Sequence, residues 1–297
     1  MVDRPFRFGV TAASARSGEE WLEKARRVET LGYSTLVTPD NVEHILAPMP
    51  ALAAAAATTT TLRLGSYVFA NDYRNPVMLA KEAATLDLLS GGRFELGIGA
   101  GRPNSERDNG MLGMPFDSGA VRLARLEEAI SIIKALLAGD TVTTTGPQYA
   151  VTDAHISPGP VQQPAPLLIA CSGKRMLELT VREATTVALG IGPDAPAETA
   201  AEKVGILREA AGERFGEIEI NVSLIAVGSR VVRYMSQFGA DAEAMARAGA
   251  LSVLWGSTDD MCEQLQRRRE SLGISYLTVS DELMDDLAPV VERLAGH

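Results

Sequence analysis

The sequence predicts a single α/β domain over residues 1–297, a (β/α)8 barrel with short insertions at its C-terminal face. Three observations carry that prediction. Eight short apolar or β-branched runs alternate with segments of helical period. Most of those runs are solidly apolar, as parallel strands covered by helices on their outer face must be. No linker, composition shift or internal repeat marks a second domain. An open doubly wound sheet is the competing architecture, and it accounts less well for eight strands in about 300 residues.

The elements follow in order. Phe6–Val10 is the first strand, and Trp21, Leu22, Ala25, Val28 and Leu31 form the stripe of the helix after it. Thr35–Thr38 is the second strand. An alanine-rich helix over Ala51–Ala57 leads to the third, Leu62–Phe69. Pro76 starts a helix that stops at Ser90-Gly91-Gly92-Arg93, ahead of the fourth strand, Phe94–Ile98. Ser118 caps and Gly139 ends a helix carrying Leu123, Leu126, Ile130, Ile133 and Leu137. Two insertions then interrupt the alternation. Thr141–Val151 reads as a hairpin around Gly146-Pro147, and the proline-rich Ser157–Pro166 leads into the fifth strand, Leu167–Ala170. The last strands are Thr186–Leu189, Ile218–Val227 and Ser275–Val279. Ser257-Thr258-Asp259-Asp260 has the form of a capping box, opening a helix with Met261, Leu265 and Leu272.

Lys+Arg 28 against Asp+Glu 38 gives a net charge of -10. Such a chain repels nucleic acid and anionic membranes, so the expected partner is a small-molecule substrate. No apolar run approaches the roughly 20 residues that span a bilayer. The N-terminus enters a strand pattern at once, so no signal peptide is expected. The two cysteines, Cys171 and Cys262, provide no disulfide framework or cysteine metal site and point to a reducing cytoplasm. The histidines, His44, His155 and His297, lie far apart without metal-ligand spacing, so no metal centre is expected.

Barrel chemistry gathers at the C-terminal ends of the strands. Gly99 and Gly101 bring no side chain there, which lets a flat ligand approach the backbone; glycines also end barrel strands for packing alone. Cys171, Ser172, Gly173, Lys174 and Arg175 read as a strand end, a tight turn and a helix start. Backbone N–H groups and two cations at that place suit a phosphodiester, and equally describe an ordinary turn with solvated basic residues. Asp40 orients a ligand or caps the following helix. Glu106 is a loop carboxylate five residues past Gly101. His44 and His155 read as surface histidines, Trp21 as core, and Trp255 as pocket or core. No dinucleotide or P-loop glycine pattern follows a strand.

From Arg74 to Gly101 the chain reads RNPVMLAKEAATLDLLSGGRFELGIGAG; Ala25–Tyr33 is ARRVETLGY, Arg125–Ala129 is RLEEA, and Leu272–Tyr276 is LGISY. In these segments, and over nearly its whole length, the chain resembles the luciferase-like flavin and deazaflavin oxidoreductase superfamily, within it the deazaflavin-dependent branch. The resemblance implies a (β/α)8 barrel, often a homodimer, holding coenzyme F420 or, alternatively, FMN. It implies a non-proline cis peptide within Ser66–Ala70, phosphate contacts from Ser172, Gly173 and Lys174, and a ring pocket lined by Gly101. Ala70, Asn71, Gly99, Cys171 and Arg175 complete the implied cofactor-binding set. Asp40, Asn41, Arg102 and Glu106 are the implied catalytic residues. Two of them depart from the family pattern. Many deazaflavin members carry Asp-His where this chain has Asp40-Asn41, and asparagine cannot exchange a proton near neutrality. Arg102 stands where relatives often carry Trp or Glu. The implied activity is hydride transfer between coenzyme F420 and a small organic substrate, as a reductase of a C=C or C=N bond. FMN-dependent monooxygenation and a non-catalytic ligand binder are the alternatives.

Overall fold

The computed structural model describes residues 4–43, 45–102, 105–171 and 173–297. Its strands are β1 (Arg7–Thr11), β2 (Thr35–Thr38), β3 (Arg63–Ser66), β4 (Phe69–Ala70), β5 (Phe94–Gly99), β6 (Val142–Thr145), β7 (Ala150–Ala154), β8 (Leu167–Cys171), β9 (Thr186–Leu189), β10 (Glu219–Leu224), β11 (Ala226–Val227), β12 (Arg230–Val231), β13 (Val253–Leu254) and β14 (Ile274–Ser280). Its helices are α1 (Gly18–Thr30), α2 (Pro48–Thr58), α3 (Pro76–Leu89), α4 (Glu106–Met111), α5 (Gly119–Ala138), α6 (Lys174–Glu183), α7 (Ala197–Ala211), α8 (Arg233–Ser236), α9 (Ala242–Arg247), α10 (Thr258–Leu272) and α11 (Met284–Leu294).

Hydrogen bonds link the strands in the order β3-β2-β1-β14-β10-β9-β8-β5-β4, and β3 also pairs with β5, so the order returns on itself. The registered pairs of this sheet are parallel. β3 and β4 are two halves of one barrel strand, which leaves eight positions and the expected (β/α)8 fold. The third strand is not continuous from Leu62 to Phe69, as its apolar run suggested. It breaks at Tyr67–Val68, whose peptide bond is cis and falls inside the span that the family resemblance marked.

By compactness the chain divides into two units, one of Met1–Ala12, Lys24–Val37 and Ala170–His297, the other of Ala13–Glu23 and Thr38–Ile169. In the first unit, strand alternation sets Arg7, Gly9 and Thr11 opposite Tyr276, Thr278 and Ser280, while Phe8, Val10, Leu277 and Val279 are fully buried on the other face. Arg7 lies 4.4 Å over the Tyr276 ring and 3.5 Å from Glu219. The predicted seventh strand, Ile218–Val227, is shorter than expected: β10 ends at Leu224, and β11 joins β12 and β13 in a separate three-stranded sheet. That insertion has its own small core of Ala226, Ala242, Ala250 and Val253, with Trp255 packed against it. Arg268 of α10 ties it down, donating to the carbonyls of Leu251 (2.8 Å) and Val253 (2.7 Å).

In the second unit, the Asn75 side chain caps α3 by accepting from Val77 N, and Pro76 takes the first helical position. The motif that follows is scaffold. Buried Asp87 accepts from Val161 N (2.7 Å), Gln162 N (2.9 Å) and Gln162 Nε2 (2.6 Å), fastening the segment that leads into β8. Arg93 donates to the carbonyls of Ala56, Thr59, Leu62 and Ser90 and to the Thr59 hydroxyl. Both act before β5 begins, at the end of the strand that barrels use for stability. The hairpin forms as β6 and β7, and Glu128 accepts from Gln148 N and Tyr149 N to hold its turn. Ser118, Gly139 and the Ser257–Asp260 capping box mark their helix ends as read from sequence.

Candidate active site

Within the second unit, the C-terminal ends of β2, β4 and β5 supply Asp40, Asn41, Ala70, Asn71, Gly99, Gly101 and Arg102. The Asp40 carboxylate is 5% exposed. It accepts from Arg74 Nη1 (2.5 Å), Arg74 Nη2 (3.1 Å) and Ala70 N (3.0 Å). This two-pronged pair ties the end of β2 to the segment after β4. It does not cap the next helix, whose N-cap position is Ala47 without a side-chain bond. Asp72, also 5% exposed, pairs with Arg125 Nη1 at 2.8 Å, and Arg125 reaches Asp117 as well. Asn71, 1% exposed, donates from Nδ2 to the Tyr149 hydroxyl at 3.2 Å.

Gly101 takes φ +82°, a conformation that favours glycine. An added Cβ would stand 3.2 Å from Arg122 Nη1, and that atom donates to Ala100 O (2.9 Å) and Gly101 O (3.2 Å). Arg122 therefore braces the glycine run from below. Arg102 is exposed, 3.5 Å from Asp108. The Ser105 hydroxyl donates to Arg102 O at 2.8 Å. Glu106 opens α4 and is exposed, and Asn41 is half-buried. The Thr38 hydroxyl, at the end of β2, is fully buried and has no partner among the described residues.

Sequence reasoning missed Tyr73, Arg74 and the Asp72–Arg125 pair. Tyr73 ends a short 3-10 turn, Asn71–Tyr73, directly after β4. Burial, then Asp108, hold its phenol above the ordinary value of 10.0; Asp40 adds to this, while Ser105 and Arg102 oppose it. The available signal was position: three polar residues behind a strand end, in front of an N-cap and proline.

In the first unit, β8 ends at Cys171 and α6 starts at Lys174, with Gly173 as an extended N-cap residue. Gly173, Lys174 and Arg175 are exposed. Cys171 is buried, and burial pushes its thiol up to about 11. Its carbonyl accepts from Gly190 N at 2.7 Å. Ser172 and His44 lie outside the described residues. Trp21 is core, donating from Nε1 to Ala51 O. Among the described residues no three His, Cys, Asp or Glu are grouped to hold a metal ion, and no helix is long and apolar enough to cross a membrane.

The protein-family model described as luciferase-like monooxygenase matches residues 4–275. An F420-dependent glucose-6-phosphate dehydrogenase of Beutenbergia cavernae is 37% identical over 162 residues, covering 52% of this chain and 47% of that protein. One of the same name from Nakamurella multipartita is 30% identical over 230 residues, covering 74% of this chain and 67% of that one. The chain spans about half the length of the first curated relatives it matches. The coenzyme F420 dependent tetrahydromethanopterin reductase of Methanopyrus kandleri superposes with a TM-score of 0.78 at 17% identity, covering 98% of this chain and 99% of that one. That likeness shows the fold; the family model covers all but the two ends of the chain. Barrel order, interrupted third strand and family match coincide, and the chain belongs to the luciferase-like monooxygenase family.

Proposed function

We propose that the chain is a coenzyme F420-dependent oxidoreductase that reduces a C=C or C=N bond of a small organic acceptor. The naming of its relatives as F420-dependent enzymes supports the coenzyme. The residues present fit a flat polar ring. Ala70, Gly99, Ala100 and Gly101 keep bulk off the backbone at the strand ends, and the Thr38 hydroxyl, at the end of β2, is a buried hydrogen-bonding group without a partner among the described residues. When bound, the reduced deazaflavin supplies a hydride. Ala70, Gly99 and Gly101 are the proposed ring contacts, and the Gly173 amide, Lys174 and Arg175 are proposed in their own right as contacts for a phosphoryl group.

One observation carries the choice of reduction over alcohol oxidation: both Asp40 oxygens are taken by Arg74 and the Ala70 amide. Removing a hydroxyl proton needs a free base. This carboxylate is neutralised, and Asn41 beside it is no base. Incubating the protein with reduced coenzyme F420 and either 2-cyclohexen-1-one or 2-methyl-1-pyrroline tests the reading. Return of the oxidised coenzyme's absorbance with at least one acceptor is expected. Turnover with neither, alongside oxidation of a sugar phosphate, would reverse it. The homodimer and cytoplasmic location implied by the family belong to the same reading, and analytical ultracentrifugation tests the first.

A second reading, FMN-dependent monooxygenation, draws on the family description itself. A protein that consumes oxygen with reduced FMN and a substrate, and ignores coenzyme F420, would establish it.

A further inference from the structure

The first unit carries a cavity at the N-terminal ends of β10 and β14, the end of these strands away from barrel chemistry. Its volume is about 500 Å³, within the range of small-molecule sites. Arg4 ahead of β1, Arg208 of α7, Phe215, Ile218, Ile220 and Gly273 line it. Its apolar wall follows from strand alternation. Ile218 and Ile220 are both buried and share one side of β10. Glu219 between them turns to the other side, where it lies 3.5 Å from Arg7 and accepts from the Thr186 hydroxyl at 3.2 Å. Gly212 and Gly273 keep the space open, since a Cβ at either would meet nothing within 4 Å.

Two cations stand on this apolar wall. Each guanidinium is placed by another residue of the lining: Arg4 Nη2 donates to Gly216 O at 2.8 Å, and Arg208 Cζ lies 4.9 Å over the Phe215 ring. Among the described residues neither arginine forms an ion pair, and no carboxylate lines the cavity. The acids next along the chain are engaged elsewhere, Glu217 with Arg214 at 3.8 Å and Glu219 with Arg7. The chain has a net charge of -10, and Arg7, Arg27, Arg63, Arg74 and Arg125 all hold carboxylates. Two guanidiniums left without one, over a single apolar cavity, suit an anion that brings its own apolar surface.

We propose that this cavity binds a small monocarboxylate with an apolar body, its headgroup on Arg4 and Arg208 and its body along Phe215, Ile218 and Ile220. The planar fork of a guanidinium matches a carboxylate. A neutral apolar molecule leaves the cations unused, and a bare anion leaves the isoleucine wall wet. The site does not depend on the oxidoreductase reading above.

Octanoate is the probe, with 1-octanol as its uncharged counterpart and acetate as the headgroup without a body. Isothermal titration calorimetry is expected to show saturable octanoate binding, at least about tenfold tighter than that of either control. Arg208→Gln alone, and together with Arg4→Gln, is expected to weaken octanoate at least about tenfold. Arg208 is exposed and holds no carboxylate, so the single variant is expected to fold as the wild type does and carries the test by itself. Isoleucine methyl spectra locate the site: octanoate is expected to shift the Ile218 and Ile220 signals, assigned through Ile218→Val and Ile220→Val. The absence of saturable octanoate binding would overturn the proposal. So would equal affinity for 1-octanol, binding unchanged in folded Arg208→Gln, or shifts confined to other isoleucines.

Discussion

Gly97 of β5 is where the barrel's third and fourth strand positions press closest. A Cβ built there would overlap the Ser66 carbonyl oxygen outright, and would stand 3.0 Å from the Ser66 carbonyl carbon and 3.2 Å from Val68 Cγ1. Ser66 in turn donates from Oγ to Gly97 O (2.7 Å) and accepts from Gly97 N (3.0 Å). Gly97→Ala must therefore part β3 from β5. Overpacking of this kind costs about 1–3 kcal/mol. Losing the two Ser66 bonds adds about 1 kcal/mol each. The sum, about 3–5 kcal/mol, corresponds to a fall in melting temperature of about 6–20 °C for a chain of this size. Ser66→Ala removes the same bonds without the clash, so about 2 kcal/mol is expected. Calorimetry and urea unfolding of the three proteins decide the matter. A Gly97→Ala protein that melts within about 2 °C of wild type, or above Ser66→Ala, refutes the reasoning.

Three further predictions concern separate parts of the molecule. Arg93→Ala strips hydrogen bonds from four carbonyls and is expected to cost about 3 kcal/mol, discounted for partial exposure, while coenzyme affinity stays within about threefold, because Arg93 acts at the other end of β5. Melting curves and fluorescence titration check the two halves. With its thiol raised from 9.0 to about 11, Cys171 should react with iodoacetamide at pH 8 about 100-fold more slowly in the native protein than in urea. The sign follows from linkage: the unfolded thiol loses its proton first, so this stabilising contribution is whole below pH 9.0 and disappears as pH rises to about 11. Lys174→Ala with Arg175→Ala is expected to weaken coenzyme F420 about tenfold at low salt and to flatten the salt dependence of binding; titrations at two ionic strengths measure it.

Strand alternation made most of the fold legible. Seven of the eight predicted strands reappear within a residue or two or, for Ile218–Val227, as a shorter strand in the same place, because their β-branched runs have no other way to be buried. The third strand misled, since Leu62–Phe69 carries apolar residues on both sides of Gly65-Ser66 while its backbone breaks at Tyr67–Val68. The β11–β13 insertion was missed because its small core is largely alanine, which carries neither a strand nor a helix period. The most specific motif, Arg74 to Gly101, divides by role. Asp87 and Arg93 fasten the barrel at one end of β5, and Gly99 to Gly101, the proposed ring floor, lie at the other. Asp40 was found from its place after β2, but its pairing with Arg74 was not, because a residue 34 positions away in sequence leaves no local signal. Tyr73 was passed over for the same reason: its surroundings come from three strand ends at once.

Equilibrium binding of coenzyme F420 and of FMN to the purified protein, each followed by fluorescence in one buffer, tests the central claim most directly. Saturable binding of the deazaflavin, at least about tenfold tighter than that of FMN, is the predicted result. Tighter binding of FMN, or no saturable binding of coenzyme F420 by a folded protein, would contradict it.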